Sequence, residues 1–141
     1  MLRRKMMDIA AVRRGDENIA TPQEMVRMLE AIYKEKALNK QATAELIEQL
    51  STPKQSYIPT YLPDNVRVAN NLGELQAVRS DSSVVFAEHR PFAISVMTSY
   101  DRDERTAEGA ISEVALEAYY YFEMRGKASE YGRVVPPISP E

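Results

Sequence analysis

Apolar positions along the chain change their spacing twice, and the changes mark out its elements. In "TPQEMVRMLEAIYKEK", Met25, Met28, Leu29 and Ile32 recur at helical spacing, which predicts a helix with these residues packed on one face. Its start is well punctuated: Thr21 can cap, Pro22 fits the first turn and Glu24 completes a capping box. A second helix follows in "KQATAELIEQL", with Asn39 as its cap. Upstream, "LRRKMMDIAAVRR" reads as helical until Gly15 and the polar "GDEN" break it.

Prolines in "STPKQSYIPTYLPDN" interrupt the helical pattern and predict a loop. Beyond it "VRVAN", "SVVFA" and "FAISVMT" are β-branched and aromatic-rich, the composition of strands. The stretch Val66 to Phe86 reads as two strands joined by a long polar loop containing "NNLGEL". The second and third strands flank "EHRP", a tight connection suited to an antiparallel hairpin. A long helix, "ERTAEGAISEVALEAYYYFEM", then places Ala107, Ala110, Ile111, Val114, Ala118 and Phe122 in a buried stripe, with Gly126 as its stop. "GRVVPPISPE" is a proline-rich tail with no core of its own. The order helix, helix, three strands, helix predicts an α+β fold, a small antiparallel sheet of about three strands flanked by helices. One domain spans residues 1–141, with no internal repeat or linker, and one sheet edge lacks a neighbour.

Composition narrows the functions available. A chain of 141 residues that is 44% hydrophobic, with a mean hydropathy of -0.42, can bury a working core in water. The net charge of -3 argues against nucleic acid as the main partner, and the basic clusters Arg3 to Lys5 and Arg13-Arg14 read as solvated surface. The absence of cysteine excludes disulfides, thiolate catalysis and thiolate metal sites. "MLRRKMMDIAAV" lacks the apolar run of a signal peptide, and no stretch reaches the length of a membrane span. As written the chain would stay in the cytoplasm.

Candidate chemistry is sparse. His89, the single histidine, falls in the hairpin turn, so a metal site would rest mainly on carboxylates and a Ser/His/Asp triad has little to build on. "STPK", Ser51 to Lys54, fits S-x-x-K, in which a lysine one helical turn on activates a serine. That geometry needs a helix starting at the serine, whereas Ser51 follows a helix end, and chance explains the match. "SDS", Ser80 to Ser82, falls one residue short of S-D-N and reads as turn chemistry at a strand start. Asp8, Asp16, Glu17, Glu74 and Asp81 supply carboxylates, but no spacing singles out an acid/base pair. The five glycines are scattered, with no phosphate loop, and Tyr119 to Tyr121 wind around a helix, dividing between core and surface.

Taken in order, several segments resemble the C-terminal half of a class A β-lactamase or a related penicillin-binding serine hydrolase. "LRRKMMD…GDENIATPQEM" is similar to the omega loop and the helix after it. "LSTPKQSYIPTYLPDNVRVANNLGEL" resembles the helix, loop and "LP…VA-x-KTGEL" strand, and "SDSSVVF…RPFAISVMTSY" the strand pair that follows. The resemblance runs to about Arg125 and implies a substrate-binding strand at Asn71, Leu72, Gly73, Glu74 and Leu75, with Asn71-Leu72-Gly73 in place of K-T-G. Asn71 keeps a hydrogen-bond donor but not the lysine's charge, and Leu72 supplies neither charge nor hydroxyl. It implies an oxyanion-binding backbone N–H near Leu75 and sets Asp8 near the omega-loop glutamate that positions a deacylating water. The nucleophile S-x-x-K and the S-D-N of the family have no counterpart here.

The implied activity of the complete family enzyme is hydrolysis of β-lactam or D-alanyl-peptide amides, without cofactor or metal, and the chain alone is expected to be inactive. A longer family enzyme would be exported. The alternative is a degenerate member serving as a binding or self-association module. The family sheet has five strands, so the resemblance leaves the strand Phe92–Thr98 with an exposed apolar edge where another chain can pair, and puts "VRVAN" at the far edge. The partners expected are therefore a second copy through that edge and, in the completed site, a β-lactam or cell-wall peptide.

Overall fold

The computed structural model describes residues 3–5, 7–129 and 131–132. The tail from Gly132 to Glu141 lies, apart from Gly132 itself, outside the described residues. Four helices and three strands follow one another as α1 (Ile9–Arg13), α2 (Pro22–Tyr33), α3 (Lys40–Leu50), a 3₁₀ turn (Ile58–Tyr61), β1 (Arg67–Leu75), β2 (Val78–Phe86), β3 (Phe92–Ser99) and α4 (Glu104–Lys127). The strands form one antiparallel sheet in the order β1-β2-β3, so β1 and β3 are both edges.

Helix starts obey local chemistry. Thr21 and Glu24 close the capping box, with Glu24 N donating to Thr21 Oγ1 at 3.2 Å and Thr21 N donating to Glu24 Oε2 at 2.8 Å. Asn39 Oδ1 accepts from Ala42 N at 2.9 Å, and Asp103 Oδ2 from Thr106 N at 3.0 Å.

Alternation along the strands divides the core. On one face Val68, Val85 and Phe92 pack with Ile111 and Ala115 of α4 and with Ile58 of the 3₁₀ turn. On the other, Ala69 and Val84 meet Leu29 of α2, with Ile47 and Leu50 of α3 beside them.

Several boundaries differ from the sequence expectation, each for a physical reason. The first helix shrinks to Ile9–Arg13, because Arg3 N and Arg4 N both donate to Asn18 Oδ1 and hold that strip non-helical. "NNLGEL" is strand rather than loop: β1 runs through it to Leu75, and only Gln76 and Ala77 connect to β2, with Ala77 at φ +56°. Met28 is 47% exposed, and Leu29 and Ile32 carry the buried face of α2. On α4, Ala110 and Val114 face outward while Ser112 and Ala115 are buried. The rotation follows from Ser112, whose Oγ donates to the Tyr57 carbonyl at 2.8 Å and turns that side of α4 toward the 3₁₀ turn.

Gly126 does not stop α4, which continues to Lys127. It is a point of close approach. A Cβ there would lie 2.6 Å from His89 Cβ and 2.7 Å from the His89 carbonyl carbon and oxygen. The same contact is locked by Glu123, which accepts from His89 N at 3.1 Å through Oε1 and pairs with His89 Nδ1 at 2.7 Å through Oε2. His89 therefore keeps its place in the hairpin turn but is tied to α4.

Gly126 and Gly109, both within α4, should respond oppositely to alanine. Gly126→Ala forces backbone apart and should lower stability by about 1–3 kcal/mol. Gly109, where a Cβ meets nothing within 4 Å, should gain about 0.5–1 kcal/mol as alanine through helix propensity. Urea denaturation midpoints of the two variants, moving in opposite directions from the parent, are the check.

Candidate functional site

β1 presents its second half as a polar edge. Asn71 is exposed; Leu72 turns into the α4-side core, where it packs against the cluster around Ile58 and Ile111. Gly73 is held against β2 by Ser80, whose Oγ donates to the Gly73 carbonyl at 3.1 Å, and a Cβ at Gly73 would lie 2.6 Å from that oxygen. Glu74 accepts a hydrogen bond from the Tyr57 hydroxyl, and Leu75, 54% exposed, offers its carbonyl to Arg79 Nη1 at 3.0 Å. Burial, and then the Glu74 carboxylate, hold the Tyr57 phenol far above its ordinary pKa, so Tyr57 remains a donor.

The strand thus gathers Asn71 to Leu75, but it does not gather Asp8. That carboxylate caps α1, its Oδ1 accepting from Ala11 N at 2.9 Å, and no hydrogen bond or ion pair among the described residues joins it to β1. "STPK" has no catalytic geometry either: Ser51 Oγ donates to the Ile47 carbonyl at 2.7 Å, and Lys54 Nζ to the Leu50 carbonyl at 2.7 Å. "SDS" lies within β2 rather than at its start.

Two groups that sequence reading left unassigned position this strand. Asp81 is 0% exposed at the centre of β2, opposite Leu72 of β1 and Val96 of β3. Its Oδ2 accepts from Tyr57 N at 3.1 Å and Ile58 N at 3.0 Å, and its Oδ1 accepts from Asn70 Nδ2 at 3.0 Å. Arg79 is buried and reaches the turn and α4 together: Nη1 donates to the Leu75 and Val78 carbonyls, both at 3.0 Å, Nη2 meets Glu104 at 2.6 Å and Nε meets Glu108 at 3.1 Å. The signal in the sequence is a charged residue at two alternate positions, 79 and 81, of a strand whose later residues on that face are buried.

On the α4 side of β1 lies a cavity of about 590 Å³, bordered by Glu74, the 3₁₀ turn with Tyr57 and Tyr61, and Arg105 and Gly109 of α4. Among the described residues no group of three or more His, Asp or Glu side chains has the arrangement of a metal site. No described helix is long and apolar enough to cross a membrane.

Burial raises the Asp81 pKa, and the hydrogen bonds from Ile58, Asn70 and Tyr57 only partly offset it. A folded-state pKa above the unfolded value means the native state holds the proton more tightly. The stabilising difference is present below the unfolded value of about 3.9 and is lost as pH rises through the folded one. Asp81→Asn should remove that descending limb from the pH dependence of the unfolding free energy. Asp81→Ala, which strands two buried backbone donors, should cost about 3 kcal/mol at neutral pH.

Comparison with known proteins agrees with this architecture. The family model of the β-lactamase enzyme family matches residues 1–122. No curated protein matches the sequence. Among solved structures, the TLA-1 extended-spectrum β-lactamase superposes with a TM-score of 0.74 at 20% identity, over 84% of this chain and 48% of that one. A β-lactamase from Chitinophaga pinensis gives 0.72 at 19% identity, over 80% and 46%. PBP-A gives 0.67 at 20% identity, over 77% and 42%. The chain therefore spans less than half the length of each of these structures.

Proposed function

The chain belongs to the β-lactamase enzyme family, and from that premise we propose that it supplies the substrate-binding strand of a β-lactamase-like site without acyl-transfer chemistry of its own. The observation that carries this reading is β1 itself, an edge strand whose residues Asn71 to Leu75 stand where the resemblance puts K-T-G and the residues after it. An open strand edge offers backbone groups to an amide ligand in the manner of strand addition. Asn71 offers an uncharged donor and Leu72 is spent on the core, so a ligand carboxylate is held weakly there. Ser51 and Lys54 both point at main-chain carbonyls, which leaves no activated serine in "STPK". The ligand class is that of β-lactams and D-alanyl peptides.

The isolated chain should leave a chromogenic cephalosporin unhydrolysed and gain no acyl mass from benzylpenicillin. Asn71→Lys should tighten benzylpenicillin binding about tenfold by adding a charge-assisted contact, still without turnover. Turnover abolished by Ser51→Ala would overturn the reading.

A second reading, self-association, rests on β3. Phe92 to Ser99 contain no charge and no proline, so this edge lacks the usual protection against pairing. A cavity of about 400 Å³ adjoins it, lined by Val26 and Tyr33 of α2, Phe92 and Ala93 of β3, and Phe122 of α4. Sedimentation velocity should show a dimer that Ile94→Lys converts to monomer; a monodisperse parent monomer sinks this second reading.

A further inference from the structure

The open edge of β3 is uncharged, but the residues just beyond its two ends are not. Before it come Glu88, His89 and Arg90; after it come Tyr100, Asp101 and Arg102. Glu88, Arg90 and Arg102 are exposed, and none makes a side-chain hydrogen bond or ion pair among the described residues. His89 and Asp101 have partners within the chain, Glu123 for the one and Thr98 for the other. Tyr100 is 92% exposed and held at φ +60°, a backbone region that suits a bulky side chain poorly. Asp101 fixes that turn, its N donating to the Ala77 carbonyl at 3.1 Å and its Oδ2 accepting from Thr98 Oγ1 at 2.6 Å. An exposed aromatic ring and three unpaired charges therefore flank an edge with nothing to keep another strand away.

The order of these residues is self-complementary. Opposed residues in an antiparallel pair alternate between hydrogen-bonded and non-hydrogen-bonded types, so a two-fold axis relating two identical strands passes through a residue that faces its own copy. Ser95 stands midway in sequence between Arg90 and Tyr100, and equally between Glu88 and Arg102. With the axis at Ser95, Glu88 of each copy faces Arg102 of the other and Arg90 faces Tyr100. Symmetry thus repeats one salt bridge and one cation–π contact. Within the strands Ile94 faces Val96 on the α4 side, and Met97 faces Ala93, which lines the cavity of about 400 Å³ beside Phe92 and Phe122. Neighbouring registers lose this match. An axis at Val96 sets Arg90 against Arg102 and Glu88 against Glu104, and an axis at Ile94 opposes no unlike charges.

We propose that two copies of this chain join antiparallel through β3 with Ser95 on the two-fold axis, forming one continuous sheet, and that the Glu88–Arg102 and Arg90–Tyr100 contacts select this register. This dimer rests on the self-association reading and adds to it the alignment of the two strands and the residues that fix it.

The chain has no cysteine, so single introduced thiols report the alignment directly. Ser95→Cys should give a disulfide-linked dimer under mild oxidation, because a residue facing itself lies about 4.5–5.5 Å from its copy, within disulfide reach. Ala93→Cys and Met97→Cys should each stay unlinked alone, at about 13 Å from their own copies, and should form a mixed disulfide when combined. Glu88→Arg should weaken the dimer about tenfold in sedimentation velocity, and adding Arg102→Glu should restore it. A dimer that forms without either cross-link, or that the exchange of charges does not rescue, overturns the register while self-association stands. A parent chain that sediments as a monomer and yields no cross-link at position 95 overturns both.

Discussion

One buried carboxylate organises the half of the molecule that carries the site. Asp81 is fully enclosed and receives the backbone N–H groups of Tyr57 and Ile58 and the amide of Asn70. A carboxylate removed from water is tolerated only when donors replace the lost hydration. Here the donors come from two places away from the carboxylate's own strand: the start of the 3₁₀ turn and β1. Tyr57 then passes the restraint on, since its carbonyl accepts from Ser112 of α4 and its hydroxyl reaches Glu74. The proline-rich segment before β1 would otherwise have only weak local reasons to adopt one conformation.

Two further ties close the frame at opposite ends of α4. Arg79 joins the β1–β2 turn to Glu104 and Glu108 in the first turns, and Glu123 joins the β2–β3 turn to the last ones. Burial disfavours the charge on Glu123, yet the His89 hydrogen bonds outweigh it and hold the carboxyl below its usual range. α4 is thus fixed at both ends and in the middle, which explains how a helix with apolar residues on several sides keeps one orientation on the sheet. The cavity near Tyr57 lies between the segment around the 3₁₀ turn and α4, beside Gly109.

The candidate strand shows how far local reading reaches. The glycine at 73 and the "GEL" after it pointed to a substrate-binding strand by resemblance, and the chain does form a strand there. Composition alone had made the same residues a loop, because Asn70, Asn71 and Glu74 are poor strand formers. The two readings differ because Asn70 is paired by Asp81, eleven residues away, and no local window contains that partner. Asp8 is engaged locally instead: the orphan donor Ala11 N takes it as the cap of α1.

The sequence by itself determined the elements whose causes lie within a turn or two of the chain. The capping box at Thr21, the caps at Asn39 and Asp103, the alternating apolar strands and the α+β order are of this kind. Tertiary structure decided what depends on partners distant in sequence: the rotation of α4 that buries Ser112 in place of Val114, the continuation of α4 past Gly126, and the extension of β1 through "NNLGEL". It also decided which charges are neutralised, setting the buried Arg79 between Glu104 and Glu108. Helix caps and periodicity are short-range and visible in a window of residues. The pairing of a buried charge is long-range, and only the assembled fold shows which groups are left over.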